Sequence, residues 1–121
     1  MAISRSPVVS NLGAFVVIDT DADENVQTNT TGAAGAMFML SIDNTANSVV
    51  VYVKFYDTAG SITVATANPN YIFRADASTL HTLVFPEGLT FAVGFTHACV
   101  TNVAPGDSPP SSAVKIRYVT T

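Results

Sequence analysis

The residues that could do chemistry are few, and the sequence does not group them into a recognisable catalytic set. The chain has two histidines, His81 and His97, and one cysteine, Cys99. A hydrolase needs a nucleophile, a base and an acid that orients the base. The sequence contains no nucleophile elbow, no zincin helix motif and no glycine-rich phosphate loop. We therefore expect no enzymatic activity, no catalytic residue and no cofactor.

The same three residues could supply only a partial metal site. Zinc takes three or four protein ligands, and His81, His97 and Cys99 would have to be brought together by the fold. Strand alternation puts His97 in one set with Phe95 and Cys99, which favours a histidine packed at a face or interface and a buried, unreactive thiol. A single cysteine also excludes an intrachain disulfide. We expect no metal site from these residues.

An acidic run, DTDADEN at residues 19–25, carries oxygen ligands at alternate positions. This spacing is similar to a calcium loop, in which several carboxylate and carbonyl oxygens surround a hard cation. The loop pattern fails at its sixth position, where Glu24 replaces the glycine, and at its twelfth, which is Thr30. A solvated hairpin turn is the favoured interpretation, and a looser Ca²⁺ site stays open.

The charge content is low for a globular domain. Hydrophobic residues make up 48% of the 121 residues, charged residues only 12%, and the net charge is −4. The five basic residues are scattered apart from the pair Lys115 and Arg117, which excludes the basic stripe that nucleic-acid binding needs. No apolar run is long enough for a membrane helix, and no secretory signal is visible, so we expect synthesis in a cytoplasm. A weakly charged surface suits permanent burial in an assembly.

Apolar residues alternate with a period of two, which predicts half-buried strands. One face should hold Phe38, Leu40 and Ile42; another Val49, Val51, Val53 and Phe55; a third Leu89, Phe91, Val93 and Phe95; a fourth Val114, Ile116 and Tyr118. Strong strands are expected at residues 37–43, 49–57, 89–96 and 114–118, and weaker ones at 15–19, 26–30, 62–65, 71–74 and 80–85. Turns are expected at 57–61 and 86–88. The prediction is one all-β domain over residues 1–121, an antiparallel β-sandwich of about eight strands with Greek-key or jelly-roll connections.

Two groups of residues are candidates for binding a partner. Residues 1–11 hold too little apolar area to fold on themselves, so they are expected to fray or to form an arm on a neighbouring subunit. The candidate contacts in this arm are Ile3, Arg5, Pro7, Val8 and Val9. Tyr52 and Tyr56 share one strand face and could stack on a sugar or on a protein partner. The sugar hypothesis requires both rings to be exposed and coplanar.

Three stretches resemble small virion proteins of tailed bacteriophages. They are SIDNTANSVVVYVKFYD at residues 41–57, TVATANP at residues 63–69 and FPEGLTFAVG at residues 85–94. The likeness covers about residues 38 to 100. It leaves out the first 35 residues and the proline-rich loop at 102–112.

The resemblance implies a capsid decoration (cement) protein. Such a structural protein lies on the outer shell of the virion, commonly as a homotrimer, and clamps neighbouring subunits of the major capsid protein. On this interpretation the partners are the major capsid protein and further copies of the chain, with no nucleic acid and no membrane. A carbohydrate- or receptor-binding module of a phage tail or fibre is the alternative, and a head–tail connector role fits almost as well.

Overall fold

The computed structural model describes residues 3–7 and 15–121. The named secondary-structure elements in these ranges are all β-strands. The eight strands are β1 (Ile3–Pro7), β2 (Phe15–Ala22), β3 (Gly35–Asp43), β4 (Val51–Asp57), β5 (Tyr71–Ala75), β6 (Leu80–Phe91), β7 (Phe95–Val100) and β8 (Val114–Thr120). No helix in these ranges has the length and hydropathy to cross a bilayer.

The strands form two antiparallel sheets that pack face to face. The large sheet has the order β1-β2-β8-β3-β6, and the small sheet has the order β5-β4-β7. The predicted all-β antiparallel sandwich is confirmed, whereas the Greek-key or jelly-roll connectivity stays a prediction. Strand β8 shows the expected pattern: Val114, Ile116 and Tyr118 are buried, and the intervening Lys115 and Arg117 are exposed.

Aromatic rings fill the space between the sheets. Phe55 on β4 lies at the centre, with its ring centroid 5.7 Å from that of Phe91 and 5.2 Å from that of Tyr118, both edge-on. Edge-to-face pairs at these distances add to the stabilisation from buried area. Phe95 stacks on Phe91 with centroids 4.3 Å apart.

Strand β4 is buried on both faces, so the prediction of one solvated face is wrong for it. Val51, Val53 and Phe55 face the large sheet, while Lys54 and Tyr56 on the opposite face are 0% and 2% exposed. Loops cover that second face, and a smaller apolar cluster there includes Ile62, Val64, Ala98 and Val100. The predicted strand at residues 62–65 is part of this covering loop, and Val49, expected in the core, is exposed and precedes β4.

A bulge in β3 moves Phe38 out of the predicted core set. The register with β8 shifts between Met37 and Met39, so that Met37, Leu40 and Ile42 are buried instead. Phe38 and Met39 are both half-buried and are absent from the hydrophobic residues packed on the core. One extra residue in a strand moves the side chains that precede it to the opposite faces of the sheet.

Strand β6 runs through the predicted turn at residues 86–88. The pairing with β3 jumps from Val84 to Leu89, and the intervening residues form a bulge in which Gly88 has φ of 82°. The predicted strand at 89–96 is also wrong, because its first residues end β6 and its last begin β7. The chain crosses between the sheets at residues 92–94.

The carboxylate of Asp57 holds this crossing in place. Its two oxygens accept hydrogen bonds from the backbone N–H groups of Ala92 (2.8 Å), Val93 (2.8 Å) and Gly94 (3.2 Å). Partial burial works against ionisation, but the three donors outweigh it and lower the pKa of Asp57. One side chain therefore ties the end of β4 to the connection between the sheets.

Residues 23–30 lie along the outer edge of β7. Gln27 and His97 exchange both backbone hydrogen bonds, and Thr30 N–H donates to Phe95 O. The predicted strand at 26–30 is thus reduced to a single bridge at Gln27. As a result, both long edges of β7 have hydrogen-bond partners.

Candidate protein-binding surface

The side chain of His97 is buried and hydrogen-bonded in the core of the sandwich. One ring nitrogen, Nε2, lies 2.8 Å from Asp19 Oδ2, and the other, Nδ1, lies 3.1 Å from the Tyr118 hydroxyl. All three side chains are buried. The Tyr118 oxygen also hydrogen-bonds with Thr30 Oγ1, and burial together with the nearby Asp19 raises the pKa of Tyr118. This network links both sheets and leaves His97 without a free nitrogen for a metal or substrate.

The remaining chemistry-bearing residues do not join His97. Cys99 is fully buried as predicted, and burial, with a contribution from Asp19, raises its pKa to about 12. His81 is exposed on β6, at the other end of the large sheet from β2 and its Asp19. Within residues 3–7 and 15–121, no group of three or more His, Cys, Asp or Glu side chains is placed to hold a metal ion.

The acidic run does not form the predicted hairpin turn. Strand β2 continues through Asp19 to Ala22, and the Asp19 side chain points into the core instead of solvent. Asp23 accepts a hydrogen bond from the Asn25 backbone, and its own carbonyl accepts one from Cys99 N–H. Asp19 is therefore not available for a Ca²⁺ site made by this run.

The two tyrosines proposed as a sugar platform are not exposed together. Tyr52 is half-buried and Tyr56 is 2% exposed under the covering loops. Between them, Lys54 donates a hydrogen bond from Nζ to Ala104 O at 2.8 Å, and burial lowers the pKa of its ammonium group. The structure thus lacks the exposed pair of rings that the carbohydrate hypothesis requires at this face.

The outer face of the large sheet carries an apolar row. Register places Val16 beside Val119, Val119 beside Met39, and Met39 beside Val84, on four adjacent strands. Paired residues on neighbouring strands share a face, and this row faces away from the core. We call the outer face of strands β2, β8, β3 and β6 the docking face.

Polar residues lie beside the apolar row on the docking face. The next row contains Ile18, Arg117, Ser41 and Thr82, and the third contains Lys115, Asp43 and Leu80. A shallow depression of about 290 Å³ lies between these two rows. Hydrogen bonds from Thr45 lower the pKa of Asp43, with a smaller contribution from Lys115, so its carboxylate offsets part of the basic charge.

The docking face contains the most exposed large hydrophobic side chains of the described residues. Val84 is 67% exposed and Leu80 is 62% exposed. Four strands about 4.8 Å apart and three rows about 7 Å apart give a face of about 400 Å². The apolar row and Leu80 take up part of this area beside polar and charged side chains, and an exposed apolar area rimmed by polar residues commonly marks an interaction site.

The chain matches no family model, no curated protein and no solved structure. The docking face is therefore interpreted from its own residues.

The N-terminal candidates lie at the opposite edge of the large sheet. Ile3, Arg5 and Pro7 belong to β1, which pairs with β2 of the same chain, so this part of the expected arm is a sheet strand. The Arg5 guanidinium lies 4.9 Å from the centroid of the Phe15 ring and donates weakly to Thr30 O at 3.5 Å. Val8 and Val9 lie outside the described residues.

Sequence reasoning missed most of the docking face because its residues are distant in the chain. Val16 and Val119 are separated by more than a hundred positions, and only the strand order makes them neighbours. One signal was present: the alternation in β8 places Val119 in the outward-facing set with Lys115 and Arg117. An apolar residue at a position where the alternation predicts an exposed, charged side chain is a local indication that the surface is covered by a partner.

Proposed function

We propose that this chain is a structural, non-catalytic protein of a virus particle, which binds other protein subunits through its docking face. The apolar row across four strands is the observation that carries the proposal. A monomeric protein in solution usually places polar side chains on the solvent face of such a sheet. A row of valine and methionine instead favours contact with another protein surface.

The specific role proposed is decoration of a phage capsid, with the major capsid protein as partner. The low charge and the resemblance at residues 41–57 and 85–94 support this role. The docking face of about 400 Å² is half of what one partner buries in a standard interface of about 800 Å². A repeating shell compensates for a small contact, because several copies or several contacts act together.

Binding to capsids tests the proposal. The probe is the capsid of the tailed phage that encodes the chain, prepared from a phage in which the gene is deleted. We expect the purified chain to co-sediment with these capsids, and Val119→Asp to weaken binding about tenfold or more, because it buries a carboxylate in the apolar row. Val119 alternates with exposed charged residues on β8, so the substitution is compatible with the fold.

A matched substitution distinguishes an effect at the docking face from a general effect of added negative charge on capsid binding. Val103 is 57% exposed in the loop after β7, away from the large sheet. Val103→Asp is expected to bind capsids like the unsubstituted chain. Equal binding by both variants, or absence of the chain from particles of the unmodified phage, would overturn the proposed function.

A further inference from the structure

The β6 edge of the large sheet is open. Among the described residues β6 pairs only with β3, whereas the outer edge of β7 in the small sheet is hydrogen-bonded by residues 23–30. A free edge presents backbone N–H and C=O groups that can pair with another strand. The covered edge of β7 shows that the chain does protect an edge elsewhere in the fold.

The first five residues of β6 lack the features that usually protect an edge. Charged residues, proline and bulges discourage strand pairing. Two other strand edges have no strand partner among the described residues, and both have such features: Arg5 and Pro7 lie on β1, and Arg74 lies on β5. The second part of β6 holds Pro86 and Glu87 within its bulge. Residues 80–84, which we call the edge segment, contain no Asp, Glu, Lys, Arg, Gly or Pro.

The same segment carries the two most exposed large hydrophobic side chains, Leu80 and Val84. Both project on the docking face, with Thr82 between them. On the core side, Leu83 is only half-buried. An unprotected backbone edge and exposed apolar side chains thus coincide in five residues.

We propose that a second copy of this chain pairs with the edge segment, antiparallel and about a two-fold axis at Thr82. The segment is complementary to itself in this register. Leu80 lies opposite Val84 of the second copy, so on the docking face aliphatic side chains meet at both ends of the paired segment. On the other face, His81 lies opposite Leu83. No residue carrying a fixed charge is brought opposite its own copy within the segment.

Pairing joins two five-stranded sheets into one sheet of ten strands. The two docking faces become continuous, and their combined area of about 800 Å² equals one side of a standard interface. The proposal of a dimer is argued from the β6 edge alone, whereas the use of the dimer in docking rests on the proposed function. It also differs from the homotrimer that the resemblance implies.

The mass of the purified full-length chain in solution tests the dimer directly, without capsids. Size-exclusion chromatography with light scattering, from micromolar to near-millimolar chain, is expected to give twice the chain mass of 12.6 kDa. Thr82→Lys places two ammonium groups opposite each other at the axis and is expected to raise the dimer dissociation constant about tenfold or more. Thr82 is exposed, so the fold of each copy is retained.

Two further variants make the result specific. Thr90→Lys adds the same charge to the same strand and face beyond the bulge, and it is expected to remain dimeric. Thr82→Glu alone should dissociate like Thr82→Lys, and an equimolar mixture of the two should recover the dimer through an opposite-charge pair. A monomer or trimer of the unsubstituted chain, or a dimer unaffected by Thr82→Lys, overturns this proposal and leaves the proposed function to the capsid assay.

Discussion

Two buried tyrosine hydroxyls differ in their hydrogen-bond partners, and this difference predicts a larger loss of stability when the Tyr118 hydroxyl is removed than when the Tyr56 hydroxyl is removed. The Tyr118 hydroxyl contacts His97 and Thr30, whereas the buried Tyr56 hydroxyl has no hydrogen-bond partner among the described protein groups. We expect Tyr118→Phe to lower the free energy of unfolding by about 1–3 kcal/mol, because it leaves the buried His97 Nδ1 without a partner and leaves Thr30 Oγ1 with only its bond to Phe95 O. Urea unfolding at pH 7 measures the change.

Tyr56→Phe is the matched control for this prediction. It removes the same atom from an equally buried ring, but it breaks no hydrogen bond with the described residues. We expect a change within about 1 kcal/mol of the unsubstituted chain, in either direction. Equal losses from both substitutions would contradict a stabilising role for the Asp19–His97–Tyr118 network.

Asp57 should stabilise the fold through its charge. Asp57→Asn keeps the shape of the side chain, but it removes the charge and replaces one accepting oxygen with an NH₂ group. We expect the free energy of unfolding at pH 7 to fall by about 1–3 kcal/mol, because three backbone N–H groups share this carboxylate. Asp76→Asn, at an exposed ion pair with Arg74, should cost less than about 1 kcal/mol.

The pH dependence of this effect follows from the direction of the pKa shift. The folded pKa of Asp57 is lowered, so the unfolded chain, with a carboxyl pKa of about 3.9, binds its proton first as pH falls. The stabilisation is fully present above about pH 5 and is lost as pH falls below about 4 toward the folded pKa. Urea unfolding of both chains from pH 7 to pH 3 should show their difference shrinking in that window. A difference that persists unchanged at pH 3 would contradict this assignment.

At the scale of single elements, the bulge in β6 depends on Gly88. Its φ of 82° favours glycine, and an added Cβ would lie 2.9 Å from Ala36 Cβ and 3.1 Å from the Phe38 ring. We expect Gly88→Ala to lower the free energy of unfolding by about 1–3 kcal/mol through strain and crowding. Thermal or urea unfolding measures this loss.

Gly60→Ala controls for the removal of a glycine as such. Its φ lies outside the left-handed region, and the nearest atom to an added Cβ is Thr58 Oγ1 at 3.8 Å, which is ordinary contact. We expect this substitution to leave stability unchanged or to raise it by up to about 1 kcal/mol. A loss from Gly60→Ala as large as that from Gly88→Ala would contradict a specific requirement for glycine in the β6 bulge.

The elements that the sequence predicted best are those with unbroken alternation. Strands β4 and β8 were predicted within a few residues, because each alternates without interruption over its length. The errors lie at the bulges: an added residue near Phe38 reversed part of β3, and a proline-glycine pair in β6 has the composition of a turn. Local composition does not distinguish a bulge from a turn, since both need residues with unusual backbone angles.

At the scale of the whole molecule, the fold class was predictable from the sequence but the candidate site was not. Period-two patterning without helical periodicity was sufficient for an antiparallel sandwich. The docking face and the His97 network depend on which strands are neighbours. Asp19 appeared to be part of a solvated acidic run, and only the closeness of β2 to β7 shows that it is a buried partner of His97.

The covered edge of β7 and the protected edges of β1 and β5 have a consequence for the size of any assembly. A strand-pairing surface that occurs once per molecule, and is used up when two copies meet, terminates growth. With the edge segment paired as proposed, such a chain can reach high local concentrations without extending into fibres. Among the described residues, the strand edges left unpaired carry Arg5 and Pro7, Arg74, or Pro86 and Glu87.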